Sequence, residues 1–307
     1  MSKKKSNKKS NKSTKKTKNS AVGNLKNFYK ENLKLLFIIS LVLFVLGLGF
    51  VAFNYINTGE IVNRGIDLRG GTSISFESDS NIIDIENEFN ELFDIENVFR
   101  ELRGTDSMIL EISTTDTDEI DSVLDFLDKY TISDEISMES TDPTLGEDFF
   151  AQISLALLFA FLFMSVVVII YFREFIPSVA IVYSAFADIA LTVAILNLIG
   201  VSMSSAGIAA LLMLIGYSVD TDILLSTNVL KNESDDFFEN VFSAMRTGFV
   251  MAFTTLVAVT VGYFVATSAV LEQIFLVLMI GLIIDMMNTW FVNTSFLRYY
   301  LLKKKKA

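Results

Sequence analysis

The sequence predicts a polytopic α-helical membrane protein with six transmembrane helices and an α+β, ferredoxin-like domain between helices 1 and 2. Three observations lead to this prediction. Hydrophobic residues make up 51% of the 307 residues, and they gather into runs close to the about 20 residues needed to cross about 30 Å of hydrocarbon. One long acidic segment, residues 57–148, interrupts these runs. Both ends of the chain are rich in lysine.

The first apolar run, residues 35–53, predicts transmembrane helix 1 over residues 35–56. The run is longer than the core of a signal peptide, and no small-residue cleavage pattern follows it, so we expect it to be retained as an anchor. Residues 1–34 contain 12 Lys and one Glu. Such a segment is too polar to fold alone, so the sequence predicts a disordered, Lys-rich cytoplasmic tail there.

Residues 57–148 contain 25 acidic and 5 basic residues and no apolar span. Their hydrophobic periodicity alternates between the strand and the helix pattern. It predicts a βαββαβ order, typical of a ferredoxin-like domain. The predicted strands are residues 72–77, 95–102, 108–113 and 135–140, and the predicted helices are residues 83–92 and 117–129.

A five-helix transmembrane bundle is predicted over residues 149–298, followed by a basic tail at 299–307. Six spans in total place both termini on one side of the membrane, and lysine-rich ends indicate the cytoplasm. The acidic domain is then extracytoplasmic, and the protein is a multi-pass protein of the cell membrane. The five predicted spans are residues 149–172, 177–198, 204–227, 244–266 and 274–297.

The chain contains neither Cys nor His. Thiol catalysis, Cys-ligated zinc and the most common metal-binding side chain are therefore excluded. No set of nucleophile, base and orienting group is recognisable either. The sequence predicts no enzyme activity, no cofactor and no metal site, and any proton transfer must use carboxylates, Lys, Tyr or water.

Four carboxylates lie within predicted spans: Asp188, Asp220, Asp222 and Asp285. An acid inside a membrane is costly and is usually functional. Asp188 and Asp285 fall near mid-membrane, whereas Asp220 and Asp222 fall in the cytoplasmic third, close to the depth of Arg246. Asp220 and Asp222 are about 200° apart on a helix, so only one of them can face Arg246. We favour Asp220. The alternative is that the acids are neutral packing elements and that Arg246 extends to water.

Small and hydroxyl-bearing residues accompany the acids along the predicted spans. Such residues allow helices to approach closely and form hydrogen bonds across the interface. A polar stripe also follows Asp285. For any one of these residues, ordinary helix packing is an equally good explanation. The residues are Gly216, Ser218, Thr221, Thr247, Gly248, Thr254, Thr255, Asn288, Thr289 and Asn293.

The segment just after the first span reads Gly65-Ile66-Asp67-Leu68-Arg69-Gly70-Gly71. Its glycines allow a turn with positive φ before a strand, and a strand in place of a helix argues against phosphate binding. This segment resembles the signature that opens the extracytoplasmic domain of the SecD/SecF protein-export family. The segment from Gly216 to Leu224 resembles the family's fourth-span motif, and Arg246-Thr247 resembles the start of its fifth span. The length of the domain, the absence of His and the acidic character of the domain are similar to those of a SecF subunit of archaeal type.

This resemblance implies an accessory of the Sec machinery in the resistance-nodulation-division superfamily. The expected partners are SecD, the Sec translocon channel and the unfolded secretory polypeptide. A gradient of protons or of sodium ions would supply the energy. The resemblance assigns ion coupling to Asp220 and Arg246, with Asp188 as a weaker third, while Asp222 and Asp285 depend on burial alone. Gly65, Asp67, Gly70 and Gly71 form the family signature.

Other functions remain open at this point. The chain could be half of a transporter of the same superfamily that exports lipids or small molecules, or a scaffold that presents its outer domain to partners. The lysine tail lies next to a membrane, so membrane lipid is the expected contact and nucleic acid is not.

The resemblance generates a test at Asp220. Asparagine has a similar shape but neither carries a charge nor exchanges a proton, so Asp220→Asn should abolish gradient-dependent protein export and leave membrane insertion intact. Export by membrane vesicles with and without an imposed gradient measures this. Undiminished export by the variant would contradict the assignment.

Overall fold

The computed structural model describes residues 3–102, 107–132, 136–231 and 236–304, and it describes side chains at 23, 24 and from 26 onward. Residue 135 of the last predicted strand and residues 305–307 of the predicted basic tail lie outside these ranges. Within them, six helical segments are long and apolar enough to cross a membrane. The multi-pass prediction is confirmed.

The first helix, α1, extends from Lys3 to Thr58 without a break. The apolar part of this helix covers about the same residues as the predicted first span. The sequence predicts disorder for residues 1–34, whereas the structure describes residues 3–34 as part of this helix. Lysine is a good helix former, and an existing helix extends more easily than a new one starts. The polar segment therefore continues the helix of the span that follows it.

The domain between the first and the second span begins with a short helix and continues with alternating strands and helices. The short helix was not predicted. The bounds of the other elements agree with the sequence predictions to within two residues, and residue 135, the predicted start of the last strand, is not described. The elements are α2 (Ile66–Arg69), β1 (Gly71–Glu77), α3 (Ile82–Leu92), β2 (Asn97–Glu101), β3 (Ser107–Ile112), α4 (Thr117–Asp128) and β4 (Ser137–Thr141).

The four strands form one antiparallel sheet in the order β2-β3-β1-β4. In its centre, Ile74 of β1 pairs with Leu110 of β3 on one side and with Met138 of β4 on the other. Helices α3 and α4 cover one face of this sheet, where Phe89 and Val123 are fully buried in its core. The ferredoxin-like prediction is therefore confirmed.

The remaining helices form the membrane bundle. Helices α6 and α7 are the most buried of them, while α1 and α5 are the most exposed to the surroundings. The last span is not one regular helix, because a π-helical segment separates its two parts. The elements are α5 (Pro143–Phe172), α6 (Phe175–Leu198), α7 (Ser205–Lys231), α8 (Phe237–Val265), α9 (Ala269–Met287), the π-helical segment (Asn288–Asn293) and α10 (Thr294–Lys304).

The signature segment, residues 65–71, attaches the outer domain to the bundle. The Gly65 amide donates to the Met203 carbonyl over 2.8 Å, and the Ser205 amide at the start of α7 donates to Asp67 Oδ2 over 2.6 Å. Leu68 is fully buried among residues of α6, α7 and α9. Asp67 therefore caps a membrane helix, and the segment forms a fixed joint between domain and bundle.

Gly70 occupies a position in this joint that only glycine fits. Its φ is +86°, and a Cβ atom there would lie 2.4 Å from Pro143 Cα at the start of α5. Any other residue would meet both a strained backbone and a backbone clash.

We expect Gly70→Ala to destabilise the folded protein by about 1–3 kcal/mol, measured by thermal unfolding in detergent. Gly49→Ala in α1 is the matched control, because a Cβ atom there meets nothing within 4 Å. Equal stability of the two variants would show that the joint is not fixed in this way.

Candidate functional site

Three of the four predicted intramembrane acids lie buried together in the bundle. Asp188 of α6, Asp222 of α7 and Asp285 of α9 have exposed fractions of 0%, 0% and 1%. Each lies well inside its membrane span, at least nine residues, or about 13 Å, from the nearer end of that span. We call these three residues the acid cluster.

Asp188 forms one end of the acid cluster. The Ser218 hydroxyl donates to Asp188 Oδ2 over 2.6 Å, and the Asn288 amide donates to Asp188 Oδ1 over 2.7 Å. Both carboxyl oxygens therefore have a neutral donor, which offsets part of the cost of burial. The two donors come from α7 and from the π-helical segment, so this one side chain connects three elements of the bundle.

Asp285 lies in the middle of the acid cluster. The hydroxyls of Thr221 and Thr289 each lie 3.2 Å from one of its carboxyl oxygens. Its carboxyl group also lies close to the Asp188 carboxyl group. Two carboxyl groups can share a hydrogen bond only if one of them carries a proton. This geometry can therefore hold a proton between α6 and α9.

Asp222 forms the other end of the acid cluster. Its Oδ1 atom accepts from the Thr289 hydroxyl over 2.9 Å and from the Asn293 amide over 2.8 Å. The Thr289 hydroxyl thus contacts both Asp222 and Asp285, yet it has only one proton to donate. If the Thr289 hydroxyl donates to one acid and accepts from the other, the second acid must be protonated. Thr289 therefore forms a bridge along which a proton can pass.

The π-helical segment brings three polar side chains to the acids. The wider winding of a π-helix places Asn288 and Asn293, which are five residues apart, on the same side of the segment. Thr289 contacts the acids between the contacts of these two residues. The Tyr29 hydroxyl of α1 donates to the carbonyl of Trp290 inside the segment. Trp290 packs so closely on α8 that a Cβ atom at Gly248 would lie 2.5 Å from its ring. Such π-helical turns are frequent at functional sites.

All the donors to the acid cluster are neutral. Among the residues that the structure describes, no Lys or Arg forms a salt bridge or a hydrogen bond with any of its three carboxyl groups. Three negative charges at one buried place would be prohibitively costly without compensation. Protons or a bound cation must supply most of that compensation.

The predicted pair of Asp220 and Arg246 is not formed in the described part of this chain. Both side chains are exposed on the outer surface of the bundle, and neither belongs to an ion pair there. The sequence favours Asp220 over Asp222 as the acid that faces Arg246, and among the described residues neither acid forms a salt bridge with Arg246. The turn of about 200° between the two residues directs Asp222 into the bundle and Asp220 out of it.

Two buried serines next to Asp222 were not predicted. Ser184 of α6 and Ser226 of α7 are both fully buried. Ser184 lies four residues before Asp188, and Ser226 lies four residues after Asp222. Residues four apart share one face of a helix, so this spacing is the signal that could have identified them.

Known proteins are similar to this chain over most of its length. The family model for the protein export membrane protein SecD/SecF, C-terminal, matches residues 123–303. The chain belongs to the SecD/SecF family. A SecF protein-export membrane protein of Pyrococcus furiosus is 35% identical over 91% of this chain and 97% of its own length. One from Methanolacinia petrolearia is 38% identical over 87% and 93%.

The fold also has solved counterparts. The crystal structure of SecDF, a translocon-associated membrane protein from Thermus thermophilus, superposes with a TM-score of 0.72 at 18% identity. The match covers 89% of this chain but only 38% of the SecDF chain. This SecD/SecF family member therefore has the fold of one part of SecDF, and the larger part of that protein has no counterpart in it.

Proposed function

We propose that this chain is a SecF-type subunit of the protein-export machinery that uses an ion gradient to promote movement of polypeptides across the cytoplasmic membrane. Relatives that cover almost the whole chain are SecF protein-export membrane proteins. The observation that supports gradient coupling is the acid cluster, three buried carboxyl groups with neutral donors only. An ion that compensates charge at this depth lies within the membrane, so the gradient across the membrane acts on it.

The acid cluster offers a path for a proton through the centre of the bundle. Asp188 and Asp285 can share one proton, and Thr289 connects Asp285 to Asp222. Each position of the proton favours a different set of hydrogen bonds between α6, α7 and the last span. Alternating access from the two sides of the membrane would then convert ion flow into movement of these helices.

Helix α7 provides the mechanical connection to the outer domain. Asp222 lies in its interior, and its first residue, Ser205, is held by Asp67 of the signature segment. The two positions are 17 residues apart, or about 26 Å along a rigid helix. A shift of α7 at the acid cluster would therefore pull on the joint that supports the ferredoxin-like domain. We propose that this domain holds the unfolded polypeptide during export.

The lysine distribution indicates which side of the membrane each part of the chain faces. We propose that both termini are cytoplasmic and that the outer domain, residues 57–148, is extracytoplasmic, because lysine-rich ends remain on the cytoplasmic side. The outer domain then meets the polypeptide as it emerges. The lysines of the amino-terminal segment lie where they can contact anionic lipid head groups.

Asp285→Asn tests the coupling role of the acid cluster. Asparagine cannot share a proton with Asp188, so gradient-dependent export by vesicles should fall to the level measured without a gradient. Glu272→Gln is the matched control, because it removes a carboxyl group from the outer end of the same helix. A variant that folds, inserts and still exports in response to the gradient would contradict the proposal.

We propose further that SecD covers the surface on which Asp220 and Arg246 are exposed. Met213, Gly216, Tyr217 and Asp220 follow the i, i+3, i+4, i+7 spacing of one face of α7, and all four are exposed. A Cβ atom at Gly216 meets nothing within 4 Å, so its small size leaves room for a helix of another chain. Charged groups on this face need a partner in the membrane.

Copurification tests this interface. The double variant Asp220→Asn and Arg246→Gln should recover less SecD with the chain than wild type does, because two charges that pair across the interface are lost. Asp148→Asn, an exposed acid at the start of α5, is the control and should have no effect. Equal recovery of SecD with the double variant would place the interface elsewhere.

A further inference from the structure

Four oxygen atoms around Asp222 are buried without a hydrogen-bond partner in the described part of the chain. Each belongs to a side chain whose exposed fraction is 0%. An unsatisfied polar atom at such depth is costly, and four in one place indicate a site for a ligand. The atoms are Asp222 Oδ2, Ser184 Oγ, Ser226 Oγ and Asn293 Oδ1.

One of these atoms belongs to the Asp222 carboxyl group, and the other three belong to side chains near it. Ser184 of α6 lies beside the Asp222 carboxyl group. Ser226 is one helical turn further along α7, on the same face as Asp222. Asn293 of the π-helical segment donates its amide to Asp222 Oδ1, so its own oxygen is close by. Three separate elements therefore contribute buried, unpartnered oxygen atoms to the part of the bundle around Asp222.

We infer that this place binds one sodium ion. Hard cations bind through oxygen ligands of this kind, namely carboxylates, hydroxyls and amides. The site offers one carboxylate, whose single negative charge balances a monovalent cation. A divalent cation would need more acids, and within the described ranges no three acidic side chains converge closely enough to hold a metal ion.

The inference deepens the proposed function, because it names the ion that compensates the charge of Asp222. A bound sodium ion would connect α6, α7 and the last span at Asp222. Asp188 and Asp285 would remain a separate pair that shares a proton. Coupling-ion sites of transporters are commonly formed near the middle of the membrane from irregular helical segments, and the π-helical segment is such an element.

Direct binding of radioactive sodium to the full chain in nanodiscs tests the inference. We expect saturable binding of about one ion per chain. Unlabelled sodium should displace the bound ion, and choline or potassium at the same concentration should not. The double variant Ser184→Ala and Ser226→Ala should weaken binding at least about tenfold, and Asp222→Asn should abolish it. Ser165→Ala is the matched control, because this α5 hydroxyl bonds only to a carbonyl of its own helix.

Thermal unfolding shows whether the variants are folded. Sodium should raise the Tm of wild type and of Ser165→Ala, and it should not raise that of the double variant. Absence of saturable binding to wild type, binding that survives in the double variant, or equal displacement by potassium would each overturn the sodium site. If sodium does not bind but Asp285→Asn still abolishes gradient-dependent export, only this inference fails. If sodium binds and Asp285→Asn exports normally, only the proposed coupling fails.

Discussion

Burial of carboxyl groups in a membrane without a basic partner is the constraint that the rest of this structure accommodates. Each acid of the cluster could be tolerated only if neutral donors were brought to it from other helices. The bundle supplies them by placing Ser218 and Thr221 on α7 and by interrupting the last span with a π-helical segment. The packing of the most buried helices is therefore organised around three side chains that a purely structural bundle would avoid.

The π-helical segment shows how this constraint extends outward. Its irregular winding aligns Asn288 and Asn293 with the acids, and Tyr29 of α1 bonds to the Trp290 carbonyl inside it. Trp290 in turn needs the small Gly248 on α8. A requirement for two amide donors in the centre of the bundle thus fixes the contacts of the first and the fifth spans.

Much of the architecture was predictable because it depends on local patterns. Apolar run lengths identified the spans, and alternating periodicity identified the ferredoxin-like order, since both reflect the local periodicity of burial. The extension of α1 back to Lys3 was not predicted, because composition alone does not show that a neighbouring helix can extend into a polar segment. The four acids, Asp188, Asp220, Asp222 and Asp285, were identified as unusual because charge in a span is visible in one sequence.

The sequence by itself determined the number of spans, the place of the outer domain and the residues that are costly in lipid. Only the tertiary structure decided which of those residues meet. Asp222 and Asp220 are two positions apart and chemically identical, yet one is buried and the other is exposed, because the rotation of α7 depends on the helices packed around it. Residues from α6, α7 and the last span converge only in three dimensions, and that convergence is what makes a site.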